Sequence, residues 1–449
     1  MGWFRKYIWG WRSNNKDTKR EHNFIEYELF YAFIAVILTI VMIFTTSLVL
    51  PLICLSVILF INLLKFRFYL FYLFLFSTIA LIMYIVYRSN IVLSNQHIDG
   101  NFKILKIFTN SFIIDFKKYK VIVYEKIDKY NLFYSYSINL SGDISLIKKV
   151  SSFNLSENVF LELTNIKINQ IDYYVNQNYS LFLNKNKLIQ DYLMLILLNK
   201  YYRNSSLITK LKEMNIIHYF TISGFHFGMI YLLFYWILNK LKVVNKITEF
   251  SILIMLFAYL LLLRFTIGAT RAFLFLMLIY INKYFFNKFF NKITLLTICA
   301  ILIMLFNPFI ILSYSFILSF GITYVILIIN KLISGIRRNW IRSILVMFFA
   351  YLSSFFITSS FSDKFNLLTF VYQLFFFPVA CVSYIFSMIF FWTNYLSYYY
   401  FYLVDIIIDY LDKGKIIINV PDISFLSYVL NLNLLFMLKI KSRASPTIY

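Results

Sequence analysis

The stretch HYFTISGFHFGMIYLLFYWIL, residues 218–238, contains no Asp, Glu, Lys or Arg. As a helix rising 1.5 Å per residue it is about 30 Å long, the thickness of a bilayer's hydrocarbon core. It also holds two of the chain's four histidines, His218 and His226. Ionisable groups inside a span are costly and turn toward protein or water rather than lipid. The spacing predicts Ser223 and His226 on neighbouring faces of one helical turn. Gly224 and Gly228 form a small-xxx-small pair that admits a neighbouring helix. Helix packing and a substrate-facing polar patch both account for these residues.

Similar apolar runs recur on either side. They predict spans at about 29–46, 47–64 and 68–88, then near 216–238, 249–264, 267–283, 293–311, 313–333, 341–360, 367–391, 396–411 and 423–439. The 449 residues are 61% hydrophobic, 21% aromatic and 14% charged, which excludes a soluble globule. The expected fold is a polytopic α-helical membrane protein with about 10–12 transmembrane helices. Cys54, Cys299 and Cys381 sit singly in apolar runs, so neither a disulfide framework nor a zinc site is indicated. Abundant Phe, Tyr, Ile, Asn and Lys beside 10 Gly and 5 Pro have the bias of an AT-rich genome, so single aromatics carry little information. Residues 1–28 are polar and mixed in charge, unlike a signal peptide.

Lys and Arg accumulate on the cytoplasmic ends of spans. With the N terminus inside, such ends gather 21 basic residues, from Arg5 to Arg443, whereas short external loops hold Arg264, Lys364, Lys413 and Lys415. Both termini are therefore expected in the cytoplasm, and the polar insert between the third and fourth spans outside. The formal charge of +23 thereby reports orientation before it reports any nucleic acid. Within the insert, FKILKIF, SFIIDF, YKVIVYEKI, SGDISLI and VFLEL read as five short strands separated by turns, compatible with a small OB-like barrel. A fragment of an unrelated β sandwich would give the same runs. The expected organisation is a cytoplasmic segment 1–28, transmembrane helices 29–88 and an external OB-like domain 89–183. An amphipathic interfacial helical segment 184–215, a channel core 216–392 and C-terminal helices with a cytoplasmic tail 393–449 follow.

Two further segments interrupt apolar sequence. In RFTIGATRAFLFLMLIYI, from Arg264, the first arginine snorkels at the boundary while Arg271 lies about 6 Å inside the next span. An arginine there requires water, a carbonyl or an anion. NPFIILSYSFILSFGITY places Asn307 and Pro308 at an outer turn and Ser319 farther along.

These three segments, in this order after a β domain, resemble the competence family of ComEC-type DNA-uptake channels. The matching residues are His218, SGFH at Ser223–His226 with Phe225 in place of the usual leucine, Arg271-Ala272, Asn307-Pro308, and FILSF at Phe316–Phe320. FNLLTFVYQLFFFPVA, from Phe365, is similar to the family's polar-then-proline span, with Gln373 where asparagine is common. The resemblance covers roughly 100–390.

What it implies is a channel in the cytoplasmic membrane for single-stranded DNA during natural transformation. His218, Ser223, Gly224, His226, Gly228, Arg271, Asn307, Pro308, Phe316, Ser319 and Gln373 are the candidates for the channel and DNA path. Full-length members often carry a metallo-β-lactamase-like domain; four histidines without an H-x-H-x-D-H cluster do not supply one. No catalytic residue, metal, cofactor or phosphate loop is assigned, and the chain is not expected to be an enzyme. Partners implied are single-stranded DNA, the lipid bilayer, a DNA receptor, a separate nuclease and a cytoplasmic ATPase or helicase; a homo-oligomer is compatible. The insert's DNA role has weak support, since residues 99–175 hold 10 Lys against 8 Asp and Glu. A solute or envelope-polymer transporter would share the polar-lined bundle. An intramembrane serine protease is more remote, because Thr221 replaces the glycine of its G-x-S-G motif and no histidine follows His226.

Overall fold

The computed structural model describes residues 96–437, with breaks at 109, 118, 128–133, 148–149, 176–181, 183, 202–204, 241–244, 360–363, 422, 424–425, 427–428, 432 and 436, together with Phe33 and Ile37. Apart from Phe33 and Ile37, the spans expected at 29–88 lie outside the described residues, as do the two terminal segments; the span at 423–439 is described in part.

Five strands, β1 (His97–Ile107), β2 (Phe112–Phe116), β3 (Tyr119–Val123), β4 (Tyr134–Leu146) and β5 (Leu161–Val175), close into a barrel of order β1-β2-β3-β5-β4. The β3–β5 pair is parallel and the others antiparallel, which is consistent with an OB-like domain. Along β4, buried positions alternate with partly exposed ones, the period a half-buried strand requires. Phe112, Ile114, Val121, Ile138, Leu140 and Ile144 fill the interior. β4 and β5 extend well beyond the apolar runs that announced them. Their extra length pairs Tyr134–Ser141 with Lys167–Val175, where Tyr136, Ile138 and Leu140 face the barrel core while the residues between them are polar. Gly142 lies at an irregularity in that ladder, where a Cβ would come within 2.9 Å of the Thr164 carbonyl oxygen. Between β4 and β5 runs a short helix, α1 (Ser152–Glu157), capped by Ser151.

The segment expected as one interfacial helix is two, α2 (Lys187–Leu198) and α3 (Ser206–Glu213). Ile189, Tyr192, Leu193, Met194, Leu195 and Ile196 of α2 are buried, enclosed by helices from the far end of the chain. The bundle proper comprises α4 (Ile217–Phe220), α5 (Gly224–Asn239), α6 (Asn245–Leu262), α7 (Ile267–Tyr284), α8 (Lys292–Phe306), α9 (Tyr314–Leu332), α10 (Asn339–Thr358), α11 (Thr369–Phe390) and α12 (Tyr395–Asp412). Five segments among the described residues are long and apolar enough to cross a membrane: Ile217–Asn239, Asn245–Leu262, Tyr314–Leu332, Asn339–Thr358 and Thr369–Phe390. The chain is a multi-pass helical membrane protein with a small barrel. The run expected as 293–311 ends as a helix at Phe306, and Pro308–Leu312 forms a separate 3-10 turn.

Strands β6 (Lys364–Asn366) and β7 (Ile417–Asn419) pair antiparallel, placing the start of α11 and the end of α12 together. The barrel docks at the turn between α8 and α9. Asn307 Nδ2 donates to the Ser156 carbonyl of α1 (2.9 Å), and Phe309, fully buried, joins the barrel's own core. Asn307 also caps the 3-10 turn through the Phe309 N–H (3.0 Å).

Candidate functional site

The span at 218–238 is broken rather than continuous. After α4 the chain turns extended at Thr221 and Ser223, and α5 starts at Gly224. Ser223 is therefore the N-cap of α5, not a member of its first turn. Its N–H donates to His226 Nδ1 (3.1 Å), and its Oγ lies 3.1 Å from the same nitrogen. A Ser-Gly pair at a helix start fits this geometry, because the serine satisfies end groups and glycine tolerates close approach. An Nδ1 that accepts an amide proton leaves the neutral ring's hydrogen on Nε2. That Nε2 is buried without a partner among the described residues, and the ring packs edge-on to Tyr384 (centroids 4.4 Å).

Arg271 sits on the second turn of α7. One guanidinium nitrogen donates to the Ser319 carbonyl and the Thr323 hydroxyl on α9, and the other lies against Gly224 at the start of α5. Any Cβ at position 224 would strike that nitrogen. The Ala272 Cβ is 3.7 Å from the same point, and a Cβ at Gly268 would lie 3.7 Å from the Ile222 carbonyl oxygen and 4.0 Å from Ser319 Oγ. Small residues thus let α5, α7 and α9 converge on one half-buried cation. No carboxylate among the described residues pairs with Arg271. Its partners are a neutral carbonyl and a neutral hydroxyl, so the formal charge is solvated but not cancelled. Thr323 escaped the sequence reading. Its signal is the i, i+4 spacing from Ser319, which puts both on one face, with Thr323 Oγ1 donating to the Ser319 carbonyl (2.8 Å).

Ser223, Gly224, Arg271 and Ser319, drawn from three separate segments, therefore meet at one centre, with His226 on its flank. The remaining candidates lie elsewhere. Asn307 and Pro308 belong to the barrel dock. Phe316 stacks on Phe320 (centroids 4.4 Å) in the core between α8 and α9. Gln373 is buried and reaches the Asn215 carbonyl (3.5 Å). His218 is exposed on α4 beside Tyr219, their ring centroids 4.2 Å apart. A Cβ at Gly228 would meet nothing within 4 Å, so this glycine is not a close-packing point.

A second polar assembly fastens α2 and α3 to α12. Tyr192 donates to Asp405 (3.1 Å), Lys210 pairs with Asp409 (2.5 Å), and Lys415 with Glu213 (2.5 Å) and Asp412 (3.0 Å). The three aspartates recur at helical spacing along one face of α12, a pattern visible in sequence. On the barrel, part of the outward face of β2 and β3 is covered: Ile113 and Ile122 pack with Ile147 and Val159, while Asp115 is exposed. That face is the usual oligonucleotide surface of OB folds, and here the chain's own β4–β5 connection occupies part of it.

Residues 195–438, just over half of the chain, match the family described as Competence protein. The match begins within α2, after the barrel, and takes in the Arg271 centre. An uncharacterized protein of Mycoplasma genitalium, MG316, is 32% identical over 201 residues, covering 44% of this chain and 51% of that protein. Its homolog in Mycoplasma pneumoniae is 30% identical over 193 residues, covering 42% and 48%. The chain thus spans about half the length of these relatives. No solved structure matches it.

Proposed function

The chain belongs to the competence protein family, and from that membership we propose that it forms a conduit for single-stranded DNA across the cytoplasmic membrane. The observation that carries the proposal is the Arg271 centre: a guanidinium with no carboxylate partner among the described residues, held where α5, α7 and α9 converge. Each nucleotide brings one phosphate charge, which bare hydrocarbon cannot accept. At about 4 Å, a phosphate and a guanidinium attract by about 4 kcal/mol at an effective dielectric of about 20. That offsets part of the phosphate's dehydration, and one such site does not trap a strand that must move on. The broken α4–α5 span contributes a helix N-terminus to the same centre, where partial positive charge favours anions. Unwound backbone at membrane depth is tolerated where it lines protein or a water-filled space.

Both termini face the cytoplasm, and the barrel lies outside as a docked scaffold at the α8–α9 turn. The 216–392 region is the channel core. Strand degradation and pulling fall to other proteins: a nuclease and a cytoplasmic ATPase or helicase, with a receptor delivering DNA from outside. The chain itself performs no catalysis in this reading.

The test is reconstitution into liposomes under an imposed membrane potential. Labelled single strands should become protected from external nuclease, and duplexes of equal length should not. Equal protection of both, or of neither, overturns the proposal.

A further inference from the structure

Two cations on the barrel side of the bundle have no counter-charge among the described residues. Lys200 follows α2 and Arg264 follows α6; neither forms an ion pair or side-chain hydrogen bond among the described residues. Their helix ends are tied together, because Tyr259 on α6 donates to the Leu197 carbonyl of α2 (2.7 Å). Partial burial holds the Lys200 ammonium below the usual lysine range, and Arg264 and Lys106 on β1, both within electrostatic reach, add to that shift. Lys106 is already neutralised by Glu157 (2.5 Å).

Helix C-termini favour cations through their free carbonyls, yet that does not explain this pair. Several of those carbonyls already accept backbone bonds: Asn199 N–H donates to Leu195 and Lys200 N–H to Met194, while Arg264 N–H donates to Leu261 and Phe265 N–H to Leu260. Among the described residues, neither the Lys200 ammonium nor the Arg264 guanidinium donates to any of the others. Arg264 and Phe265 both hold left-handed backbone (φ 51° and 54°), which turns the chain directly into α7. Arg264 is exposed, and Arg271 stands on the second turn of that same helix, about 6 Å along its axis from Ile267. The hydroxyls of Thr266 and Thr270, on the intervening turn, are buried without partners among the described residues. Two like charges within electrostatic reach of one another repel, and an anion between them would offset that repulsion.

We propose that Lys200 and Arg264 are the first foothold for the phosphate backbone of single-stranded DNA, which then passes along the first turn of α7 to Arg271. This rests on the DNA-conduit reading and adds to it the residues that receive the strand. The contacts are to phosphate, so they add affinity without sequence preference.

The protein in nanodiscs of phosphatidylcholine is titrated with fluorescein-labelled oligo-dT, and anisotropy is followed against salt. The double variant Lys200→Gln/Arg264→Asn is used because asparagine tolerates the left-handed backbone. Each lost phosphate contact lowers the log–log salt slope by about 0.7 for a single strand, so the variant should lose about 1.4. Oligo-dA should show the same loss. A matched control at the opposite end, Lys240→Gln/Lys288→Asn, also replaces a left-handed residue (Lys288, φ 59°) and should leave the slope unchanged. Thermal unfolding of both variants should match wild type, which separates lost contacts from lost fold. Wild-type binding with an undiminished slope in the Lys200/Arg264 variant overturns the inference and leaves the conduit reading standing. Equal losses in both variants also overturn it, as diffuse attraction. Absence of any wild-type binding overturns the conduit reading itself. If, in a parallel preparation doped with phosphatidylglycerol, the variant instead alters retention of that lipid while DNA binding is unaffected, the pair binds a lipid headgroup and the inference fails.

Discussion

Gly224→Ala isolates the contact on which the Arg271 centre is built. The methyl group would occupy the space of the guanidinium nitrogen, and the Arg271 Cζ would lie 3.4 Å from it. The guanidinium cannot retreat freely, since its other nitrogen is bound to the Ser319 carbonyl and the Thr323 hydroxyl. One of two things must yield: α5 shifts away from α7, or Arg271 gives up those bonds. Hydrogen bonds to charged groups contribute about 1.5–3 kcal/mol each, so losing one and weakening the other predicts a destabilisation of about 2–4 kcal/mol. Gly228→Ala on the same helix is the internal reference, because its Cβ meets nothing within 4 Å. It should stabilise the helix by up to about 1 kcal/mol through the better propensity of alanine. The assay is reversible unfolding in detergent, with a double-mutant cycle against Arg271→Met. In the methionine background the end of the side chain is flexible and uncharged, and Gly224→Ala should cost below about 1 kcal/mol, giving a coupling of about 2–3 kcal/mol. Equal effects of the two glycine substitutions, or a coupling near zero, would refute the close approach of Arg271 to α5.

Phe309→Ala removes a fully buried ring from the barrel core and should cost about 3–4 kcal/mol in barrel docking, read as increased hydrogen exchange in α1. Asn307→Ala should act at the same place more weakly, by about 1–2 kcal/mol, since it deletes one cap and one cross-domain bond. In the barrel, hydrogen bonds from Asn165 and His97 hold the Asp143 carboxyl below its ordinary value of 3.8. Its contribution is therefore present above that value and lost as pH falls through the depressed folded-state value. Asp143→Asn should flatten the acid limb of barrel unfolding followed by tyrosine fluorescence. Lys283→Met leaves Glu249 buried without its 2.5 Å partner and should destabilise by about 2–3 kcal/mol, whereas adding Glu249→Gln should restore much of that loss.

Much of the architecture is legible because spans are set by one physical requirement, an apolar run matching bilayer thickness. The helices from α5 to α12 fall close to the runs that announced them. The break before Gly224 is not legible that way. TIS contains no proline, and only the Ser-Gly pair hints at a cap, so an uninterrupted helix is the natural reading of 218–238. Asn307 and Pro308 are recognisable as a turn, but the partner of Asn307 lies 151 residues earlier, a contact that no local pattern encodes. Arg271 and Ser319 stand out singly because polar groups in spans are costly. Their union depends on Gly224, Gly268 and Ala272 letting three helices close together, which follows from tertiary packing. The helix α2 shows the converse: its leucine-rich pattern suits a bilayer interface, yet α11 and α12 enclose it in the bundle.

The most direct measurement is strand-resolved uptake of labelled DNA by cells in which the only copy of this protein carries Arg271→Ala. Membrane insertion and surface DNA binding should match wild type, while labelled strands in the cytoplasm should fall to the level of cells lacking the protein. Internalisation at the wild-type rate would contradict a role for the Arg271 centre in the DNA path.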